Sequence, residues 1–256
     1  MIQYEIINGV GKITLNRPDK YHSFVREMAL QLQDVLDNCK EDKAVRAILI
    51  TATGKAFCAG QDLGEATDPN GPELTQIVQE HYNPIIRKIR NIEKPIVAAV
   101  NGVAAGAGAS IALACDIVVA TESASFIQAF SNIGLIPDSA GTFFLPRLVG
   151  MQRAAALMMT AEPISANDAV DMGMIYKAYS TEDFEKESWK LVSKLAAMPT
   201  KGLGLTKRLL NASCSNDLEE QLTMEEKCQT IAGNSADFKE GVQAFLEKRK
   251  PTFKGE

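Results

Sequence analysis

Histidine is nearly missing: only His22 and His81 occur in 256 residues, which leaves little material for a histidine metal site or a histidine-driven nucleophile. Positive charge is in deficit as well, with 27 Lys and Arg against 32 Asp and Glu and a net charge of −5. That balance offers no general attraction to nucleic acid or to an anionic membrane, so neither is expected as a partner. The five cysteines, Cys39, Cys58, Cys115, Cys214 and Cys228, show no paired spacing. This argues against a metal knuckle or a disulfide framework and predicts reduced thiols in the cytoplasm, with no metal. The opening Met1-Ile2-Gln3-Tyr4-Glu5 lacks the basic and apolar regions of a signal peptide, so export is not expected. A long uninterrupted apolar run is also lacking. The best candidate, Ile96 to Ala120, holds Asn101, Ser110 and Asp116 and is rich in Gly and Ala, which fits a strand, a turn, a buried helix and a second strand better than a membrane span. No internal repeat or low-complexity linker divides the chain.

What is present is a β-then-α alternation. Gln3–Ile7 and Val10–Leu15 alternate apolar and polar residues around Asn8-Gly9, which predicts a hairpin. Met28, Leu32, Val35, Leu36 and Cys39 recur at helical spacing over Arg26 to Glu41. Strands are expected at Val45–Thr51, Pro95–Val100, Asp116–Ala120 and Met174–Tyr179, and helices over Leu74–Ile92 (kinked or restarted at Pro84), from about Ala107, within Thr142–Val149, and through most of Glu182–Lys250. Ser165-Ala166-Asn167-Asp168 reads as a helix start and Gly173 as its stop, while the polar stretch Glu65–Pro72 reads as a loop. The order implies a parallel, layered α/β core.

Two glycine-rich turns carry most of the chemical information: Phe57-Cys58-Ala59-Gly60-Gln61-Asp62, and Asn101-Gly102-Val103-Ala104-Ala105-Gly106-Ala107-Gly108-Ala109-Ser110. Each puts small residues where a strand gives way to a turn or helix, so main-chain N–H groups are left unpaired and open to close approach. Two such donors aimed at one point make an oxyanion hole. Other readings of these glycines fail. Gly54-Lys55 has Leu49, not glycine, five residues before it and so is no phosphate loop. Gly108-Ala109-Ser110-Ile111-Ala112 nearly matches a serine-hydrolase elbow, but both histidines precede Ser110 and that chemistry needs one after it.

Taken together and in order, Leu15-Asn16-Arg17-Pro18, Phe57 to Leu63, Lys94-Pro95 through Ser110, Cys115-Asp116-Ile117, Gly134-Leu135-Ile136-Pro137-Asp138 and Leu145-Pro146-Arg147-Leu148-Val149-Gly150 resemble the enoyl-CoA hydratase/isomerase (crotonase) family over nearly the whole chain. The resemblance implies an α/β fold with a crotonase-like ββα spiral core over residues 1–199, and a helical region over 200–256 that builds a homotrimer or a hexamer. It implies an acyl-CoA thioester as substrate and no cofactor beyond the CoA that the substrate carries. The family's oxyanion donors fall on the N–H groups of Gln61 and Ala107, with Ala59, Gly60, Asp62, Gly106 and Gly108 around them. Asp62 and Asp116, at turns, are expected to bond main-chain amides rather than do chemistry. Phe130 is the candidate pocket aromatic, although it, Tyr82 and Phe143 equally suit plain core. Lys254 resembles the family's C-terminal segment that lies over a neighbouring subunit near the CoA.

The departures are as informative. Hydratases of this family use two glutamates, and the corresponding positions here hold Ser110 and Phe130, neither of which moves a proton in that role. A carboxylate stands instead at Asp138, before the small run Ser139-Ala140-Gly141. One carboxylate that takes and returns a proton is an isomerase's requirement, provided that burial raises it from its ordinary pKa of about 3.9. The plainer reading of Asp138 is a helix N-cap. Gln61, the Asn101–Ala109 turn and Ile136-Pro137-Asp138 are similar to the branch of the family that isomerises ring-1,2-epoxyphenylacetyl-CoA to an oxepin. Straight-chain 3-enoyl-CoA isomerisation is the alternative among enzymes, and a non-catalytic RNA-binding homologue is the alternative of another class.

Overall fold

Asn8 and Gly9 both take positive φ, +50° and +83°, the backbone that a two-residue turn between twisted strands demands. They join β1 (Ile2–Ile7) to β2 (Val10–Leu15) in the expected antiparallel hairpin. The computed structural model describes all 256 residues. After the hairpin come α1 (Arg26–Glu41), β3 (Ala47–Ala52), β4 (Ala56–Cys58), α2 (Leu63–Ala66), α3 (Leu74–Gln76), α4 (Asn83–Asn91), β5 (Ile96–Val100) and β6 (Val103–Ala105). The middle of the chain holds α5 (Ala107–Leu113), β7 (Ile117–Thr121), β8 (Ser125–Ile127), α6 (Gly141–Val149), α7 (Met151–Thr160), β9 (Ile164–Ser165), α8 (Ala166–Asp171) and β10 (Lys177–Tyr179). Helices α9 (Phe184–Ala196), α10 (Thr200–Ala212), α11 (Leu218–Gly233) and α12 (Ala236–Leu246) complete it. No helix is long and apolar enough to cross a membrane.

The strands form two sheets. The larger runs β1-β2-β3-β5-β7-β10 and is parallel from β2 onward. Alternation along its strands feeds two apolar clusters: Ile48 and Ile50 join the main core with Met28, Leu32 and Leu36 of α1, while Ala47 and Leu49 pack beneath Phe184, Val192 and Ala196 of α9. The smaller sheet, β4-β6-β8-β9, is parallel across its first three strands. β4 ends at Cys58, β6 at Ala105 and β8 at Ile127, so three neighbouring parallel strands release their chains at one edge. Ligands of α/β proteins gather at such carboxyl ends.

Several expectations need correction. The first two residues of the Glu65–Pro72 stretch read as a loop belong to the short helix α2, which the Asp62 carboxylate caps by accepting from the Gly64 N–H at 2.9 Å. The strand expected over Met174–Tyr179 is ordered against β7 only at Lys177–Tyr179. Pro84 has the expected effect: it cannot donate to the Glu80 carbonyl four residues back, and the turn before α4 opens into a π-helical segment, Ile77–Tyr82. The Gln33 side-chain amide donates to the freed Glu80 carbonyl at 2.7 Å and to that of His81 at 3.2 Å.

The C-terminal helices are fastened to the core by a buried charge cluster. Asp116 accepts from the Ile96 N–H at 2.8 Å and pairs with Arg90 at 3.1 Å and with Lys207 of α10 at 2.8 Å. The Lys207 ammonium also donates to the Ile89 carbonyl at 2.7 Å. Lys207 is only 6% exposed, so removing its counter-charge strands it. Asp116→Ala is expected to destabilise the fold by about 3 kcal/mol in urea denaturation, and Lys207→Met in the same background to restore part of that loss.

Candidate active site

Main-chain hydrogen bonds fix both glycine turns. Around the first turn, the Ala59 N–H donates to the Tyr21 carbonyl at 2.9 Å, the Phe24 N–H to the Gly60 carbonyl at 2.7 Å and the Asp62 N–H to the Phe24 carbonyl at 2.9 Å. Around the second, the Gly106 N–H donates to the Ile127 carbonyl at 2.9 Å and the Ser110 N–H to the Gly106 carbonyl at 3.1 Å. The N–H groups of Gln61 and of Ala107, the first residue of α5, are left without a main-chain partner. The turns touch: a Cβ on Gly60 would stand 3.1 Å from the Ala105 carbonyl oxygen and 3.4 Å from the Ala107 nitrogen. Gly60 (φ +90°) and Gly106 (φ +52°, ψ −127°) take backbone conformations that a side chain would strain. Phe130 lies over the second turn, with its ring 3.9 Å from where a Gly106 Cβ would be.

Two residues expected at the substrate have scaffold roles. Gly108 is where α5 presses on β4, since a Cβ there would meet the Cys58 carbonyl oxygen at 2.5 Å. Asp62 pairs with Arg17 at 2.7 Å while capping α2; burial pushes its carboxyl up, but Arg17 and the Gly64 N–H together hold it below the usual range. Asp116 bonds the Ile96 amide as expected. Both histidines are structural. His22 Nδ1 accepts from the Arg17 N–H at 2.9 Å and Nε2 lies 2.7 Å from the Thr53 carbonyl, in a burial that lowers its pKa. His81 is fully buried beside Arg26. No cluster of three or more His, Cys, Asp or Glu is placed to hold a metal ion.

Sequence reasoning missed a clamp on Gln61. The hydroxyl of fully buried Tyr82 donates to Gln61 Oε1 at 2.8 Å, and Gln61 Nε2 donates to Glu65 Oε2 at 2.9 Å. Glu65 is itself fixed by the Arg26 N–H at 2.9 Å. The residue that offers the first free amide is thus held by its side chain from two sides. Only the buried π-helical segment brings Tyr82 there, and nothing in the spacing of Tyr82 signalled it.

Asp138 is half-buried and does not cap α6, whose N-cap Ala140 makes no side-chain bond. The Ser139 hydroxyl donates to Asp138 Oδ1 at 2.9 Å, and Ser139 and Ala140 both take left-handed φ, +51° and +59°. Burial raises the Asp138 carboxyl, and the Ser139 hydroxyl opposes that rise. The Tyr82 phenol is pushed well above its ordinary value by burial first, then by Cys58, Asp138 and Glu65. Lys254 is elsewhere: its N–H donates to Asp237 Oδ1 at 2.6 Å, and Arg46, just before β3, holds the neighbouring Phe253 carbonyl at 2.6 Å. Ser139→Ala is expected to move the Asp138 titration, followed by carboxyl carbon NMR, to higher pH than in the wild type.

The site thus offers two main-chain amides without main-chain partners, on touching turns, and a half-buried carboxyl of raised pKa on the turn before α6. Comparison with known proteins shows the family. The family model described as enoyl-CoA hydratase/isomerase matches residues 5–256. The chain is 46% identical to the 1,2-epoxyphenylacetyl-CoA isomerase of Escherichia coli (strain K12) over 250 residues, 96% of this chain and 95% of that one. It is 35% identical over 257 residues to the trans-2-decenoyl-[acyl-carrier-protein] isomerase of Streptococcus mutans, covering 99% of this chain and 98% of the other. An enoyl-CoA hydratase structure from Bacillus anthracis superposes with a TM-score of 0.92 at 33% identity, over 100% of this chain and 99% of that one. The chain is an enzyme of the enoyl-CoA hydratase/isomerase family, with the crotonase fold.

Proposed function

We propose that this enzyme is an acyl-CoA isomerase that turns ring-1,2-epoxyphenylacetyl-CoA into oxepin-CoA through a thioester enolate. The observation that carries the reading is a single carboxylate of raised pKa, Asp138, set with two unpaired amides, while the positions of a hydratase's glutamates hold Ser110 and Phe130. The Asp138 carboxylate removes a proton from the carbon next to the thioester. The electron pair moves onto the thioester oxygen, where the N–H groups of Gln61 and Ala107 stabilise it. The ring expands as the carbon–carbon bond bridged by the epoxide oxygen breaks and its electron pair joins the ring's double bonds, and the protonated Asp138 returns the proton at another carbon, so atoms and electrons balance without water entering. Ala59, Gly60 and Gly106 let the main chain approach the thioester, and Phe130 walls the acyl side. No cofactor is needed beyond the CoA carried by the substrate. The 46% identity to a 1,2-epoxyphenylacetyl-CoA isomerase supports the aromatic substrate; the same proton shuttle moves a β,γ double bond to α,β in a straight-chain 3-enoyl-CoA.

The enzyme acts in the cytoplasm as a homotrimer or hexamer. Leu210, Leu218, Phe245 and Leu246 stand exposed on the C-terminal helices, an apolar surface of the kind that subunits cover. Residues 200–256 supply that contact and residues 1–199 the chemistry. Lys254, in the tail of one subunit, reaches the CoA of its neighbour.

Asp138→Asn is expected to lower kcat by about 10²- to 10⁴-fold with thioester binding retained. Wild-type kcat should rise with pH through an acid limb above the usual carboxylate range, because the base must be ionised. Undiminished turnover by the Asn variant removes the mechanism. Faster turnover of 3-enoyl-CoA than of the ring epoxide moves the substrate to the straight-chain class, and salt-sensitive RNA binding without any turnover sinks the enzyme reading. Tyr82→Phe is expected to cost about tenfold in kcat with little change in KM, the equivalent of one hydrogen bond of ~1.4 kcal/mol lost from the Gln61 clamp.

A further inference from the structure

Between Leu63 and Gly71 a single residue reaches beyond its own turn. The two carboxylate oxygens of half-buried Glu65 accept from the Arg26 N–H at 2.9 and 3.2 Å, while every other hydrogen bond of that segment spans four residues or fewer. Arg26 is the first residue of α1, and Val25 at the N-cap, in extended backbone (φ −115°, ψ 166°), makes no capping bond. A helix of 16 residues therefore takes its cap from a carboxylate 39 residues further along the chain, a charge of the sign that its N-terminus favours. That cap bears on the first glycine turn by two routes. One is the Gln61 side chain, whose Nε2 donates to Glu65 Oε2 at 2.9 Å. The other is Phe24, two residues before Arg26, whose N–H donates to the Gly60 carbonyl at 2.7 Å. The Gly60 carbonyl and the Gln61 N–H belong to one planar trans peptide, so the bond that holds the carbonyl aims the N–H the opposite way. The Arg26 guanidinium closes a ring: it pairs with Glu80 and lies 3.3 Å from His81 Nε2, in the π-helical segment that carries Tyr82. The pair with Glu80 is half-exposed and adds little. The charge-assisted bonds of the Glu65 carboxylate carry the arrangement.

We propose that Glu65 is a positioning residue for the oxyanion turn: it caps α1 and, through Phe24 and the Gln61 side chain, aims the Gln61 N–H at the place where the thioester oxygen gathers charge. What that amide binds rests on the thioester reading above; how it is aimed does not. Both Glu65 oxygens are already engaged by Arg26 and Gln61, so Glu65 acts through Gln61 rather than on the substrate. A cap that served α1 alone would account for stability and leave the rate untouched.

The test separates the cap from the aim. Val25→Thr places a hydroxyl at the N-cap, where it accepts from the second or third N–H of α1 and supplies a cap with no bond to Gln61. Urea midpoint, kcat and KM for the ring-epoxide thioester, and the NMR order parameter of the Gln61 main-chain amide are compared for wild type, Glu65→Ala, Val25→Thr and the double variant. Glu65→Ala is expected to lower the midpoint and to cut kcat about 10- to 100-fold at nearly unchanged KM, because the enolate's charge is met only in the transition state. The Gln61 order parameter falls with it, from about 0.85 to below about 0.6. The double variant regains the midpoint but neither kcat nor the order parameter, and Val25→Thr alone keeps the wild-type kcat. Recovery of kcat and Gln61 order along with the midpoint overturns the proposal, as does a Glu65→Ala enzyme with full kcat and a rigid Gln61 amide. A wild type that turns over no thioester, with Gln61 order still lost in Glu65→Ala and in the double variant, sinks the acyl-CoA reading and leaves the positioning role standing.

Discussion

Two main-chain amides without partners, on turns pressed together at Gly60, are the constraint that the rest of the structure serves. An unpaired amide in a mostly buried setting is costly, and a chain free to relax would rotate it toward a carbonyl. Relaxation is blocked because the neighbouring groups are already engaged: Phe24 binds both sides of Gln61, and Ile127 holds Gly106. The parallel order β4-β6-β8 is what brings these partners to one edge. A hydratase fold and an isomerase fold need this arrangement equally, since both build negative charge on a thioester oxygen.

Asp138 adds a second, opposite strain. Its carboxyl is raised by burial in the folded state, so the neutral form is the one the fold prefers. The stability it contributes is present below its unfolded value of about 3.9 and is lost as the pH rises through the folded value. On the mechanism proposed above, that same disfavour of the ionised form strengthens the carboxylate as a base. The left-handed pair Ser139 and Ala140 keeps the turn from relaxing the carboxylate into solvent or into a cap on α6.

Long periodic elements were legible in the sequence, and short ones were not. The hairpin followed from Asn8-Gly9 and α1 from the spacing of Met28, Leu32 and Leu36, because a turn with positive φ and a one-sided helix leave local signatures. The smaller sheet left none: β4, β6, β8 and β9 are two or three residues long, too short for any period, and Val103–Ala105 is embedded in a run that reads as a turn. The two donor turns were legible as glycine runs, but what each glycine does was not. Gly60 and Gly106 admit the backbone conformation, whereas Gly108 admits Cys58, and only tertiary contact separates those roles. The Tyr82 clamp was invisible for the same reason, since Pro84, Gln33 and the π-helical segment all have to meet before the phenol reaches Gln61.

The division of labour within the site explains how one scaffold hosts different reactions. The two amides proposed as oxyanion donors are main-chain groups, so their position depends on strand order and on small residues rather than on the identity of residues 61 and 107. On the proposed mechanism the proton chemistry rests on side chains instead, at Ser110 on α5, Phe130 after β8 and Asp138 before α6. Exchanging those side chains would change which atom can gain or lose a proton and leave the amides in place. Serine and phenylalanine carry no carboxylate to activate water, and aspartate at the third position supplies a single one. On the mechanism proposed above, one carboxylate serves as both base and acid, which is what relocating a proton within the substrate requires.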